Sequence, residues 1–315
     1  MYTSTITPPL KTSATSAPAS GSRRWLNYLF FFLLASSLAW WWGPLASTFS
    51  QASSDERYTH LLIILPITIT FILVDWNRDG KRNAAFSGSQ AILPAGIMVI
   101  AVLLSVIVRW KFHPSSDFRL AANMLALVAW WNASFVLCFG TRAFRRTLFP
   151  MLFLLWLVPL PDLVLNPAIS LLQQGSAATA HFLFAVAGTP VQQRGMLLHI
   201  PKLTLEVAPE CSSIRSSLML VVTTMVLAHL LLQTGWKKAL VVAFAIPLSI
   251  LKNGLRIFVL GILATRVDPS FLTGRLHRQG GVIYFLIALA GIFLLIWWLR
   301  RTEVAIPKGE IRTDV

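Results

Sequence analysis

Apolar runs close to the length that crosses a bilayer recur along almost the whole chain, and no other feature narrows the fold as much. A membrane-spanning helix needs about 20 mostly apolar residues. Runs of this kind read at Trp25 to Trp42, Thr59 to Val74, Ala91 to Val108, Leu120 to Phe139, Leu148 to Val164, Ser213 to Leu232, Ala239 to Thr265 and Val282 to Leu299. Eight such spans take up roughly half of the 315 residues and leave no large soluble domain. Composition agrees: 56% of residues are hydrophobic, only 12% are charged, and the mean hydropathy is +0.67. A soluble globular protein carries about twice that charged share, so the expected fold class is an all-α polytopic membrane protein. No internal repeat is visible.

Lys and Arg outnumber Asp and Glu 27 to 12, a surplus that in a polar chain points to nucleic acid. In an apolar chain it is read as orientation signal, because Lys and Arg cluster on the cytoplasmic side of spans. Counting from the N-terminus, Arg23 with Arg24, Arg78 with Lys81 and Arg82, and Arg142 with Arg145 and Arg146 all fall inside. The pairs Lys237 with Lys238 and Arg300 with Arg301 fall inside only if Ala168 to Ala187 does not cross. That stretch holds Gln173, Gln174, Ser176, Thr179 and His181 among its apolar residues, and it is assigned as an interfacial or re-entrant helix. The expected topology has eight spans and both termini in the cytoplasm, with Gly188 to Cys211 and the loop carrying His277 on the outer face. Residues 1–22 read as a disordered cytoplasmic tail rich in Ser, Thr and Pro. The remainder divides into an N-terminal region of five helices (23–165), a second membrane region (166–301) and a cytoplasmic tail (302–315).

Leu203 to Val207 alternates apolar and polar residues after a short apolar run from Met196 to Ile200. That pattern predicts a small outer-face hairpin leading into Cys211. Pro209 suits the first position of a helix, which puts Cys211 in the first turn of the following span. There the partial positive charge of unpaired amides favours a thiolate, while an ionised Glu210 opposes it. Cys138 reads as a small buried hydrophobe. In the long span, Lys252 and Arg256 are four residues apart and share a face, with Asn253 beside them. Charges inside a span are costly, so two in one turn suggest a polar cavity, unless Arg256 snorkels to a nearby surface. His277 lies in a glycine-flanked loop before the last span and can act as acid or base near neutral pH. His60, His113 and His199 read as interfacial, and His181 and His229 as packing residues. No histidine has metal-ligand spacing, so no metal or cofactor is expected. Singly, each of these residues is as well explained by packing or solvation. Together, the charge-derived topology puts a nucleophile, a cation and an acid/base on one outer face, as thiol-dependent acyl transfer requires.

The chain resembles the exosortase/archaeosortase family of membrane-embedded sorting proteases. The resemblance rests on Cys211 within Glu-Cys-Ser-Ser-Ile-Arg-Ser, on Arg256 within Asn-Gly-Leu-Arg-Ile, and on His277 with Gly281 four residues later, supported by Asn166-Pro167 and Gly188-Thr189-Pro190-Val191. It covers roughly Asn166 to Arg301; the first five spans match only in hydrophobic character. One departure is Ser213, where the family commonly has Gly after Cys-Ser. The resemblance implies a cysteine protease or transpeptidase of the bacterial cytoplasmic (inner) membrane. Its substrates would be exported proteins ending in a short Pro-Glu-Pro-like motif, a membrane helix and a basic tail, with an amine-bearing acceptor as an alternative to water. In that scheme Cys211 is the nucleophile, Arg256 stabilises the oxyanion and His277 is the general acid/base. Asn253 is expected to orient Arg256, and Arg215 to pair with Glu210 or a substrate carboxylate. The partners are therefore such proteins and the lipid bilayer, not nucleic acid. The competing reading is a non-enzymatic transporter or export-assembly factor in which Lys252 and Arg256 line an anion path; no paired broken helices of the transporter kind are visible.

Overall fold

A computed structural model describes residues 21–78, 91–113, 116–201, 203–207, 214–272 and 280–304. Among them the α-helices are α1 (Gly21–Ser54), α2 (Leu61–Arg78), α3 (Ile92–Lys111), α4 (Asp117–Arg146), α5 (Leu148–Phe153), α6 (Asp162–Val186), α7 (Ile214–Leu231), α8 (Gly235–Arg266) and α9 (Gly281–Val304). Seven of them are long and apolar enough to cross a membrane, and the bent pair Leu148–Leu157 and Asp162–Val186 makes an eighth if it is one broken span. The polytopic all-helical fold expected from the apolar runs is therefore what forms.

Helix ends depart from the hydropathy boundaries wherever proline or polar caps intervene. α1 runs well past Trp42 and kinks at Trp41 (φ −104°, ψ 17°). Pro44 has no N–H to offer the Trp40 carbonyl, and Arg109 on α3 donates to that carbonyl instead, at 2.8 Å. The expected span Leu148 to Val164 is not one helix. α5 gives way to a 3-10 turn over Leu154–Leu157 and then to extended chain, because Pro159 and Pro161 each bar helical backbone in the residue before them. α6 then sets off at 92° to the first segment. The stretch Ala168 to Ala187 belongs to this 25-residue helix, and the boundary drawn at residue 165 lies in its first turn.

Side-chain contacts sort the helix ends into two groups. At one end Ala52, Tyr58, Leu61, Leu165 and Ile214 form a cluster, Tyr58 bonds the Leu160 carbonyl, and Asp117 bonds Asp162. In the α1–α2 turn, the hydrogen-bonded Arg57 guanidinium holds the Asp55 carboxyl below the usual carboxylate range. At the opposite end His229 stacks on Phe149 with ring centroids 3.8 Å apart. The C-terminal ends of α4 and α9 and the start of α8 meet there, so the basic clusters Arg145–Arg146, Lys237–Lys238 and Arg300–Arg301 share one end of the bundle, as the charge count required. α6 does not return to that basic end. Gly175 packs on Ile250, Gly254 on Thr179 and Gly261 on Phe184, so α6 runs parallel to the second half of α8, away from the basic clusters.

The expected hairpin is a three-stranded antiparallel meander: β1 (Gln192–Arg194), β2 (Leu197–Ile200) and β3 (Leu203–Glu206). Strand β1 has no apolar alternation to announce it. Its turn into β2 places Gly195 at φ +60°, a backbone conformation that tight hairpins demand and glycine supplies. Leu198 and Ile200 point inward and join Val207, Ala177, Ala180 and Phe184 in a separate core, while His199 faces out and bonds Thr204 at 3.0 Å. His60, expected at an interface, is buried and packs edge-on to Trp156. Cys138 is buried, as expected.

Two reciprocal caps close the basic end. The Glu303 carboxylate accepts from the backbone N–H groups of Gln233 and Thr234 at 3.1 and 2.9 Å, just where α8 begins. Buried Lys237 in the first turn of α8 donates to the Leu299 carbonyl near the end of α9. Glu303 satisfies N–H groups that α8 leaves without a helical partner, and Lys237 joins Thr302 on the Leu299 carbonyl. Glu303→Ala is expected to destabilise the protein by about 1.5–3 kcal/mol, the usual range for hydrogen bonds to a charged group. Thermal unfolding in detergent checks this, and Glu303→Gln should recover part of the loss.

Candidate active site

The length of α8 organises the site. Its 32 residues extend about 48 Å, against a hydrocarbon core of about 30 Å. From Trp236 to Leu251 the helix exposes large apolar side chains, among them Leu240, Phe244 and Ile246. From Lys252 to Thr265 no residue is exposed, because α6, the sheet and the 3-10 turn at Pro269–Leu272 cover the helix. The apolar sequence Ile257 to Ala264 is therefore covered by a cap of protein, while α8 as a whole is long and apolar enough to cross a membrane, as expected of Ala239 to Thr265.

Lys252 and Asn253 sit where the lipid-facing stretch gives way to the cap. Lys252 is 5% exposed, and its ammonium donates to the Ser216 hydroxyl on α7. It therefore does not snorkel to a surface. Asn253 donates to the Ser176 hydroxyl on α6 at 3.0 Å. One turn beyond Lys252, Arg256 is half-buried and lies close enough to Lys252 and to Tyr284 on α9 to act on both electrostatically. Four helices thus bring polar groups to one level of the bundle. Among the described residues no acidic side chain bonds Lys252, and the two cations lie one helical turn apart beside the cap.

Cys211, Glu210, Ser213 and His277 lie outside the described residues. Their neighbours in the chain are placed. Val207, four residues before Cys211, is held by Gln173 of α6, whose amide donates to its carbonyl at 2.8 Å, and it shares a core with Ile257 and Phe258 of α8. Ile214, three residues after Cys211, is buried in the cluster with Leu165. Gly280, three residues after His277, is also buried and opens the helix that carries Tyr284. Arg215 pairs with Glu56 in the turn between α1 and α2, at 3.3 Å on an exposed surface, a partner that sequence did not suggest.

Sequence reading singled out Lys252, Asn253 and Arg256 but missed the groups that receive them. Ser216, Tyr284 and Gln173 have no charge to draw notice. The one signal was the polar content of Ala168 to Ala187, where Gln173 and Ser176 stand out from an otherwise apolar run. A family model described as transmembrane exosortase (Exosortase_EpsH) matches residues 52–294. That match begins near the end of α1 and covers the spans that follow it, well upstream of Asn166, where sequence motifs stop. No curated protein and no solved structure matches the chain.

Gly254 lets α6 approach this level of α8. A Cβ there would lie 2.4 Å from the Thr179 Cβ and 3.1 Å from the Ser176 carbonyl oxygen, so the helices would have to part. Gly254→Ala is expected to destabilise the protein by about 1–3 kcal/mol, as overpacking of cores does. Paired with Thr179→Gly it should regain most of that loss, which a thermal-unfolding double-mutant comparison measures.

Proposed function

The chain belongs to the transmembrane exosortase family, a transpeptidase- and protease-like family of membrane proteins tied to protein sorting, and from that premise we propose that it is a membrane cysteine protease or transpeptidase. Its substrates are exported proteins that end in a short Pro-Glu-Pro-like motif, a membrane helix and a basic tail. The observation that carries the reading is the polar level of the bundle at Lys252, Asn253 and Arg256. The residues leading into and out of the Cys211 segment, and the helix following His277, are anchored around it.

In this reading His277 takes the Cys211 proton, and the thiolate adds to the scissile carbonyl. The carbonyl oxygen gains the negative charge, and the Arg256 guanidinium stabilises it. The C–N bond then breaks as His277 returns its proton to the leaving amine, which departs with the substrate's membrane helix. A thioester to Cys211 remains, and water or an amine-bearing acceptor resolves it, releasing the thiol. Losing one oxyanion donor of this kind costs about 2.7–4 kcal/mol in other acyl-transfer enzymes. Lys252 and Asn253 serve as positioning residues: the first ties α8 to α7, the second ties α8 to α6. Under the charge-derived orientation the site lies on the outer, periplasmic face and the basic clusters lie in the cytoplasm.

Co-expression with a tagged substrate bearing such a C-terminal signal tests the reading. Wild type should shorten the substrate, Cys211→Ala should abolish processing, and Arg256→Ala should slow it roughly 100- to 1,000-fold. Arg256→Lys, which keeps the charge but not the planar fork, should retain part of the activity. Processing by Cys211→Ala at the wild-type rate would refute the nucleophile, and an unprocessed substrate accompanied by transport of an anion would favour the transporter reading.

A further inference from the structure

Away from the cap, α1, α3 and α4 enclose a cavity of about 550 Å³, in the size range of small-molecule sites. Two guanidiniums line it. Arg109 donates through Nε to Asn123 at 3.2 Å and through Nη2 to the Trp40 carbonyl that Pro44 leaves open. Arg119 donates to the Phe112 carbonyl at 3.2 Å. The two are near enough to repel each other, yet among the described residues neither has a carboxylate within ion-pair distance. The acid that lines the same cavity, Asp117, is hydrogen-bonded to Asp162 instead. Ser116 provides no side-chain cap to the first turn of α4, so the positive end of that helix faces the cavity as well.

The surroundings indicate what supplies the missing negative charge. α3 is 20 residues long, about 30 Å, which puts Arg109 at a hydrocarbon boundary, where lipid phosphates lie. Trp110 is 89% exposed beside it, and Trp40, Phe112 and Phe118 are exposed at the same level, as in the aromatic belts of membrane proteins. Below Arg109, Val106 and Val102 lie on the same side of α3 at helical spacing and Val99 is exposed beyond them, an apolar face along which an acyl chain can lie. We infer that this cavity binds the phosphodiester of a membrane phospholipid, held by Arg109 and Arg119 with its chains against α3. The site is independent of the acyl-transfer chemistry proposed above.

Two variants separate binding from folding. Arg119→Gln removes one charge but keeps a donor for the Phe112 carbonyl. Gly43→Leu fills the cavity from α1, at a position where an added Cβ meets nothing within 4 Å. Full-length protein, stripped of lipid in detergent, is titrated with dioleoylphosphatidylglycerol, with dioleoylglycerol and with glycerol phosphate, binding being counted by native mass spectrometry. The expected result is saturable binding of the phospholipid, weakened about tenfold by Arg119→Gln and abolished by Gly43→Leu, with thermal unfolding of the lipid-free Gly43→Leu protein unchanged. Dioleoylglycerol bound as tightly as the phospholipid would overturn the proposal, because no phosphate is then read. Glycerol phosphate bound as tightly as the phospholipid would overturn the lipid assignment in favour of a soluble phosphate ester, and undiminished phospholipid binding by Gly43→Leu would overturn the location.

Discussion

A helix longer than the bilayer is thick sets the terms for everything around it. α8 exposes large apolar side chains along its first half and is covered by protein along its second, and the change comes at Lys252, within one turn. Apolar side chains past that point cannot be left to water without a cost of roughly 25 cal/mol per Å². The cap supplies the cover: α6 lies along α8 through glycine contacts at residues 175, 254 and 261, and the small sheet closes the remaining side with Leu198, Ile200 and Leu205. At the polar level at the base of this cap the buried charge of α8 is received by a hydroxyl from α7, beside an amide received by a hydroxyl from α6.

The same accounting runs through the rest of the bundle. Bilayer interiors offer no water to satisfy backbone groups, so every break in a helix needs a substitute partner. Arg109 fills the gap left by Pro44, Tyr58 takes the Leu160 carbonyl in the stretch between Pro159 and Pro161, and Glu303 with Lys237 seals two helix ends at once. Arg109, Lys237 and Glu303, which look anomalous in an apolar chain, serve these repairs. Arg109 and Arg119 also line one cavity, and among the described residues neither is ion-paired.

Much of the architecture was legible in the chain itself. The polytopic helical class with its seven or eight candidate spans and the sharing of one end by the basic clusters follow from hydropathy and the placement of Lys and Arg, because lipid imposes a length and a polarity that sequence must meet. The residues Lys252, Asn253 and Arg256 announced themselves by cost alone. Less legible was where helices stop. The break of Leu148 to Val164 is written in Pro159 and Pro161, but the 92° turn of α6 depends on what it packs against, and β1 carries no pattern at all.

Local rules thus determined the class of protein, its candidate spans and the presence of Lys252 and Arg256 within one of them, since each depends on the properties of a few consecutive residues in a uniform solvent. Tertiary structure alone decided that the apolar end of α8 is covered by α6 and the sheet, that Lys252 is buried against Ser216, that Arg215 meets Glu56, and that two arginines line one cavity between α1, α3 and α4. Those outcomes join residues far apart in the chain, and a hydropathy profile treats lipid and protein interior as the same medium. Only the packing of neighbouring helices distinguishes them.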